Sequence, residues 1–308
     1  MVRVKFSWFW KNFDQENNIF IDMLNEIGIE YKIVDSINSK SDLEFVSVFS
    51  PQFINFKRKL NRLVNQKIHA KQDVSYYYDP HELPRGSQSK KIWYTGENVR
   101  PPLHLPYDLF LSFDSNDYGE RNLRMPYWYL DLGILNRAFN SRVGVESSMY
   151  EFMRNRKFEK QFHQRFANVV ATNSSLPRDF VIENFRGFEI ECYGKKFGKP
   201  LSFKSELKDT YKFTIAFEND YFPGYVTEKI IDAYAIGSIP IYWGGISEDK
   251  NLNTDAIIDY ARFPSHEAFL DYMSFLTEED IIEIYERPLL KEPVSLSPII
   301  KRITDLIF

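Results

Sequence analysis

The densest group of reactive side chains in the chain is Glu218, Asn219 and Asp220, followed after a Pro223-Gly224 break by Tyr225, Glu228 and Lys229. A lysine in a first helical turn adds a full positive charge to the partial one at the helix N-terminus, which suits a diphosphate. The plainer alternative is a solvated first turn, the usual place for Glu and Lys. A second point is Glu97, between Gly96 and Asn98 and just after Ile92-Trp93-Tyr94. A carboxylate presented after a buried strand is a general-base candidate, and equally a residue that caps a turn. Asp114 and Asp117 follow a similar apolar run and compete for that role. Arg178 stands beside Pro177 and close behind Asn173. A guanidinium can donate twice to a phosphate, though an ordinary surface arginine accounts for it too.

These residues need elements to hold them. Around the first group the pattern predicts strand, loop, helix, strand over 211–245. Phe213, Ile215 and Phe217 alternate with Thr214 and Ala216, Thr227 is an N-cap residue before Ile230, Ile231 and Tyr234, Gly237 is a stop, and Pro240 opens the strand 239–243. Glu218 and Asn219 then sit at a strand's carboxyl end, where open α/β sheets bind ligands. Further strands are expected at 2–10, 31–34, 43–49, 91–95, 109–113, 166–171 and 256–260. Helices are expected at 17–27, 51–70 and 265–275, at 180–185 opened by Pro177-Arg178-Asp179 so that Arg178 sits in a first turn, and at 281–285 behind a Thr277–Asp280 cap. The stretch 72–90 has no sustained period and reads as a long loop, and 141–148 reads as a linker. Tyr127, Trp128 and Tyr129 cannot all face one core if extended, which leaves one of them for a ligand. The apolar stripe of 296–308 must be buried somewhere: against the N-terminal half, or on a membrane.

Composition narrows the classes. The chain has 308 residues, enough for two domains, and 44% are hydrophobic. A net charge of −4 gives nucleic acid no purchase. The single cysteine, Cys192, forms no internal disulfide, and 1–13 lacks the apolar run of a signal or anchor. The expectation is a cytoplasmic protein, peripheral at the inner membrane if the basic face of 51–70 meets lipid. The five histidines lack ligand spacing, and no Gly-x-Gly-x-x-Gly run or Walker loop occurs. No two aspartates stand at i and i+2, an arrangement that can hold a divalent ion on nucleotide phosphates.

Taken as motifs, Tyr94-Thr95-Gly96-Glu97-Asn98, Arg124-Met125-Pro126-Tyr127-Trp128 and Phe217-Glu218-Asn219 with Tyr225-Val226-Thr227-Glu228-Lys229, Ala233 and Ile239-Pro240 resemble the bacterial α-1,3-fucosyltransferases of glycosyltransferase family 10. The resemblance runs from about position 91 to just past Gly245. It implies an α/β protein of GT-B type, two Rossmann-like α/β domains facing each other across a cleft. Residues 1–156 would bind acceptor, 157–290 would bind GDP-fucose, and 291–308 would pack back on the N-terminal domain. It further implies inverting transfer of L-fucose to the GlcNAc 3-hydroxyl of a Gal-β-1,4-GlcNAc acceptor (N-acetyllactosamine type), a Lewis x product. Glu97 would be the base. Asn173, Arg178, Glu218, Asn219, Tyr225, Glu228 and Lys229 would hold the donor, with Glu228 on fucose and Lys229 on the phosphates. Asn98, Tyr127 and Trp128 would touch the acceptor. No cofactor and no essential divalent metal are expected. Another nucleotide sugar, or a non-catalytic glycan-binding role on the same fold, stays open.

Overall fold

Short apolar runs at the start of the chain become parallel strands. β1 (Val2–Ser7), β2 (Tyr31–Ile33), β3 (Leu43–Val46), β4 (Lys90–Tyr94), β5 (Leu109–Ser112) and β6 (Asn122–Arg124) lie in the order β2-β1-β3-β4-β5-β6, every pair parallel. The computed structural model describes residues 1–35, 39–51, 54–56, 83–84, 88–132, 134–135 and 148–308. The helix expected at 51–70, the loop at 72–90 and the linker at 141–148 lie largely outside these residues. α1 (Ile19–Ile27) joins β1 to β2. The Asn18 side chain accepts from the Phe20 and Ile21 amides to start it, and Gly28 at φ 75° ends it. Its Phe20 ring packs on Phe45 and Tyr94 at 4.9 and 5.2 Å.

Apolar and polar residues alternate along β1, yet its polar positions are not all solvated. Lys5, Glu44 and Lys91 are register neighbours on β1, β3 and β4, and all three are buried. Both ammonium groups lie 3.7 Å from the Glu44 carboxylate, to which the Ser7 hydroxyl donates at 2.6 Å. A parallel sheet is covered on both faces, so polar positions inside it must find partners in the sheet itself.

The chain divides into two units: Met1–Tyr127 with Ser295–Phe308, and Trp128–Val294. The division falls after Tyr127 rather than after 156, and two anchors explain why. Trp128 is fully buried and donates its indole N–H to Asp249 at 2.9 Å. Arg156 lies between the Tyr234 and Tyr285 rings, at 3.6 and 3.9 Å, and donates to the carbonyls of Tyr234, Ser238 and Tyr285. Both contacts tie the stretch 128–156 to the second unit.

In that unit the elements are β7 (Arg165–Val170), α2 (Leu176–Asn184), β8 (Ile190–Tyr193), β9 (Tyr211–Phe217), α3 (Glu228–Ala235), β10 (Ile239–Trp243), β11 (Ile258–Asp259), α4 (His266–Phe275) and α5 (Glu278–Glu286). The strands form a parallel sheet in the order β11-β10-β9-β7-β8. Its core gathers Val169, Phe213, Ile215, Phe217, Ile241 and Phe269. α5 starts with a capping box between Thr277 and Asp280. The last helix, α6 (Ser297–Ile307), belongs to the first unit, where it packs on α1 and buries Ile299 and Ile303. Among the described residues no helix is long and apolar enough to cross a membrane.

The two sheets are wound alike. In each, the strand order reads second, first, third, fourth, fifth: β2-β1-β3-β4-β5 and β8-β7-β9-β10-β11. The direction of winding therefore reverses between β1 and β3, and again between β7 and β9. Outside the carboxyl ends of the strands at such a reversal, open α/β sheets hold their ligands.

Candidate active site

The site in the second unit is built on Glu218, the residue that follows β9. Its side chain is 0% exposed and accepts from four donors: the Thr227 amide at 2.8 Å, the Thr227 hydroxyl at 2.7 Å, the Lys229 ammonium at 2.8 Å and the Tyr242 phenol at 3.1 Å. Burial, with Glu218 opposite, pushes the Tyr242 phenol well above its ordinary value, so it stays protonated and donates. This corrects two expectations. Glu218 does not face a donor sugar; it ties the end of β9 to β10 and to the first turn of α3. Thr227 occupies the N-cap position of α3, but its hydroxyl makes no capping bond. It donates to Glu218 and accepts from Lys229 at 2.9 Å instead.

That arrangement places the rest of the loop. Lys229 is held from beneath by Glu218 and remains 20% exposed at its side chain. Asn219 is exposed, Glu228 is partly exposed, and Tyr225 is buried at 5%. The loop is pinned at its middle, where the Gly224 amide donates to the Gly245 carbonyl at 2.7 Å. A side chain at 245 would collide with the Phe222 carbonyl, so only glycine allows this approach.

The loop after β7 supplies the second cation. Pro177 lies in the first turn of α2, which begins at Leu176, one residue before the expected opening. Arg178 is 5% exposed and its guanidinium donates to the backbone carbonyl of Asn173, whose side chain is exposed. Burial lowers the Arg178 pKa while Asp179 opposes the shift. Its Nε is buried without a hydrogen-bond partner. Lys196 pairs with Asp179 beside it. β7 and β9 are neighbours in the sheet, so the loops carrying Arg178 and Lys229 leave the same reversal point.

In the first unit the corresponding edge is looser. Glu97 is partly exposed, and its backbone is set by Thr95, whose hydroxyl accepts from the Glu97 amide and donates to the Glu97 carbonyl. The Asn98 side chain accepts from Arg100 at 2.9 Å. Asp114 is buried at 9% and committed to a local turn through Asn116 and Tyr118. Asp117 is exposed and accepts from the Gly119 amide. Tyr127 is partly exposed, with its ring over Gly96 where a Cβ would stand. Trp128 is a further correction. As an acceptor contact it would need an open face, but it is buried in the second unit on Asp249, within a 3-10 turn over Tyr127–Asp131 rather than an extended segment.

Residues 159–286 match the family model described as glycosyltransferase family 10 (fucosyltransferase) C-terminal domain. The matched stretch lies wholly within the second unit. The chain is 31% identical over 228 residues to the α-(1,3)-fucosyltransferase FucT of Helicobacter pylori, covering 65% of this chain and 48% of that protein. It is 37% identical over 93 residues to the putative fucosyltransferase R654 of Acanthamoeba polyphaga mimivirus, covering 30% of this chain and 15% of that one. The chain thus spans about half the length of the first of these relatives, at 48%, and less of the second. A crystal structure of α1,3-fucosyltransferase with GDP-fucose superposes with a TM-score of 0.69 at 24% identity, covering 99% of this chain and 90% of that one. The fold is therefore GT-B, two α/β units with parallel sheets. Every donor-side residue named from the sequence lies within the matched stretch.

Two contributors to the Glu218 loop escaped the sequence reading. Tyr242 lies on β10 and reads as an ordinary strand aromatic, and Thr227 reads as a cap. The signal for both is a buried carboxylate at a strand end, which must find donors within reach.

Proposed function

We propose that the chain is an inverting α-1,3-fucosyltransferase. It moves L-fucose from GDP-fucose to the GlcNAc 3-hydroxyl of a Gal-β-1,4-GlcNAc acceptor. The observation that carries this reading is the Glu218-anchored loop of the matched stretch, which holds Lys229 beside the loop of Arg178 at one sheet reversal. Two cations there suit a nucleoside diphosphate, both as ligand and as leaving group.

In the reaction, the acceptor hydroxyl oxygen attacks the anomeric carbon of fucose. Its proton passes to the Glu97 carboxylate as the new bond forms. The bond from that carbon to the phosphate oxygen breaks, and its electron pair leaves with GDP. Arg178 and Lys229 meet the charge that develops on the diphosphate. Asn219, Tyr225 and Glu228 contact the donor, with Glu228 on the fucose. These cations and the α3 N-terminus do this work without an essential divalent ion.

The test is product analysis. The purified chain is incubated with GDP-fucose and a panel of β-1,4- and β-1,3-linked galactosyl-GlcNAc acceptors, and the linkage of the product is assigned by NMR. Expected is an α-1,3 fucosyl product on GlcNAc, undiminished in EDTA. Thermal shifts should rise with GDP and not with UDP or ADP. Stabilisation by UDP alone, or loss of turnover in EDTA restored by Mn²⁺, would overturn the corresponding part.

A further inference from the structure

The first unit has a reversal point too, between β1 and β3, and the loops that leave it have so far been given no role. The loop after β1 is aromatic: Trp8, Phe9, Trp10 and Phe13. The chain leaves β1 through Trp8 at φ 59°, a left-handed conformation that costs a bulky L-residue about 1–2 kcal/mol. Such strain persists where surrounding contacts enforce it, and it gathers at functional sites. Here the Trp8 carbonyl accepts from the Phe49 amide at 2.9 Å, which fastens the loop after β1 to the loop after β3.

The rings that follow divide into a base and a face. Phe9 turns inward, stacked on Phe13 at 4.1 Å and edge-on to Phe20 at 5.6 Å. Trp10 stays partly exposed among four rings: Phe13 at 4.9 Å, Phe9 at 5.6 Å, Tyr127 at 6.3 Å and Phe49 at 6.5 Å. The Tyr127 ring in turn lies over Gly96, and Glu97 and Asn98 follow directly. A braced, partly exposed indole therefore stands one ring away from the candidate base.

We infer that Trp10, with Tyr127 beside it, is the stacking platform for a pyranose ring of the acceptor. The inference rests on the functional reading above. The chemistry selects the ligand class. A braced indole offers a wide apolar face at little entropic cost. Glu97 and Asn98 next to it offer polar groups. A sugar ring has one face of C–H groups and a rim of hydroxyls, so it uses both. A wholly apolar ligand would use the indole and bring nothing to exchange for the water it displaces from the carboxylate and the amide.

The experiment measures acceptor KM, kcat, GDP affinity and acceptor-free hydrolysis of GDP-fucose for the full-length wild type, Trp10→Leu and Trp10→Phe. Leu keeps apolar contact with Phe13 and Tyr127 but has no flat face. Expected is an acceptor KM raised about ten-fold or more in Trp10→Leu. GDP affinity and donor hydrolysis should be unchanged, and Trp10→Phe should recover most of the loss. A merely structural Trp10 would lower the melting temperature of both variants and leave acceptor KM alone. That result overturns the inference, as does a Trp10→Leu enzyme with KM within two-fold of wild type. If the wild type transfers nothing from GDP-fucose, the functional reading itself has failed, and the inference falls with it.

Discussion

The two units share one winding and use it in opposite ways. Each places a glutamate just past the carboxyl end of a central strand. Glu218 after β9 is 0% exposed and surrounded by donors from α3 and β10. Glu97 after β4 is partly exposed, and its backbone is fastened to Thr95. A carboxylate saturated with donors can take no part in proton transfer, but it can hold a lysine and a loop in one geometry. A carboxylate left partly open can accept a proton from a ligand. The same residue type, past the third strand of one sheet and the fourth of the other, is a positioning group in one unit and a base candidate in the other, and its neighbours make the difference.

The sharpest break of this comparison is Glu97→Gln, which keeps shape and removes the base. Transfer should fall by about 10²–10⁴-fold while GDP affinity and the melting temperature hold. Asp114→Asn and Asp117→Asn, already committed to local turns, should lose far less. Near-normal turnover of Glu97→Gln would remove the distinction between the two glutamates.

Next comes the pair beneath the loop. Lys229→Ala should weaken GDP binding by about 1.5–3 kcal/mol, the scale of a charged hydrogen bond. It also strips a buried carboxylate of its counter-charge, so the melting temperature should drop. Glu218→Gln should weaken GDP binding as well. The double variant should lose less than the sum of the two, because both changes disrupt one contact. Additive losses in GDP affinity would mean that Glu218 stabilises the unit without positioning Lys229.

The smallest effect is expected from Tyr242→Phe. It removes the longest of the bonds to Glu218, at 3.1 Å, and leaves the others. Stability should fall by about 1 kcal/mol in denaturant titration, with GDP affinity nearly unchanged. A large loss of GDP affinity would place Tyr242 closer to the ligand than its burial implies.

Much of the second unit was legible because its signals are local. The strand expected at 239–243 is β10 (Ile239–Trp243), between Gly237 and Gly244-Gly245. The Thr277–Asp280 cap is a reciprocal capping box, three residues apart. The first unit was harder to read. β1 stops at Ser7 rather than running to 10, because Trp8 turns left-handed, and no propensity forecasts that of tryptophan. The buried Lys5–Glu44–Lys91 row was hidden by alternation that reads equally well as a wet face. Trp128 sits in a motif with Tyr127, yet the two residues fall in different units.

The sequence by itself determined where strands end, where helices start and which polar groups stand at those ends, since spacing and turn chemistry act over a few residues. Only the tertiary structure decided which of those polar groups is buried. Glu218 finds Tyr242 twenty-four positions later. Trp128 finds Asp249 across 121 positions. Trp10, after β1, meets Tyr127, after β6, with the Tyr127 ring lying over Gly96 at the end of β4. Burial depends on what the rest of the chain stacks against a residue, and no local period carries that information.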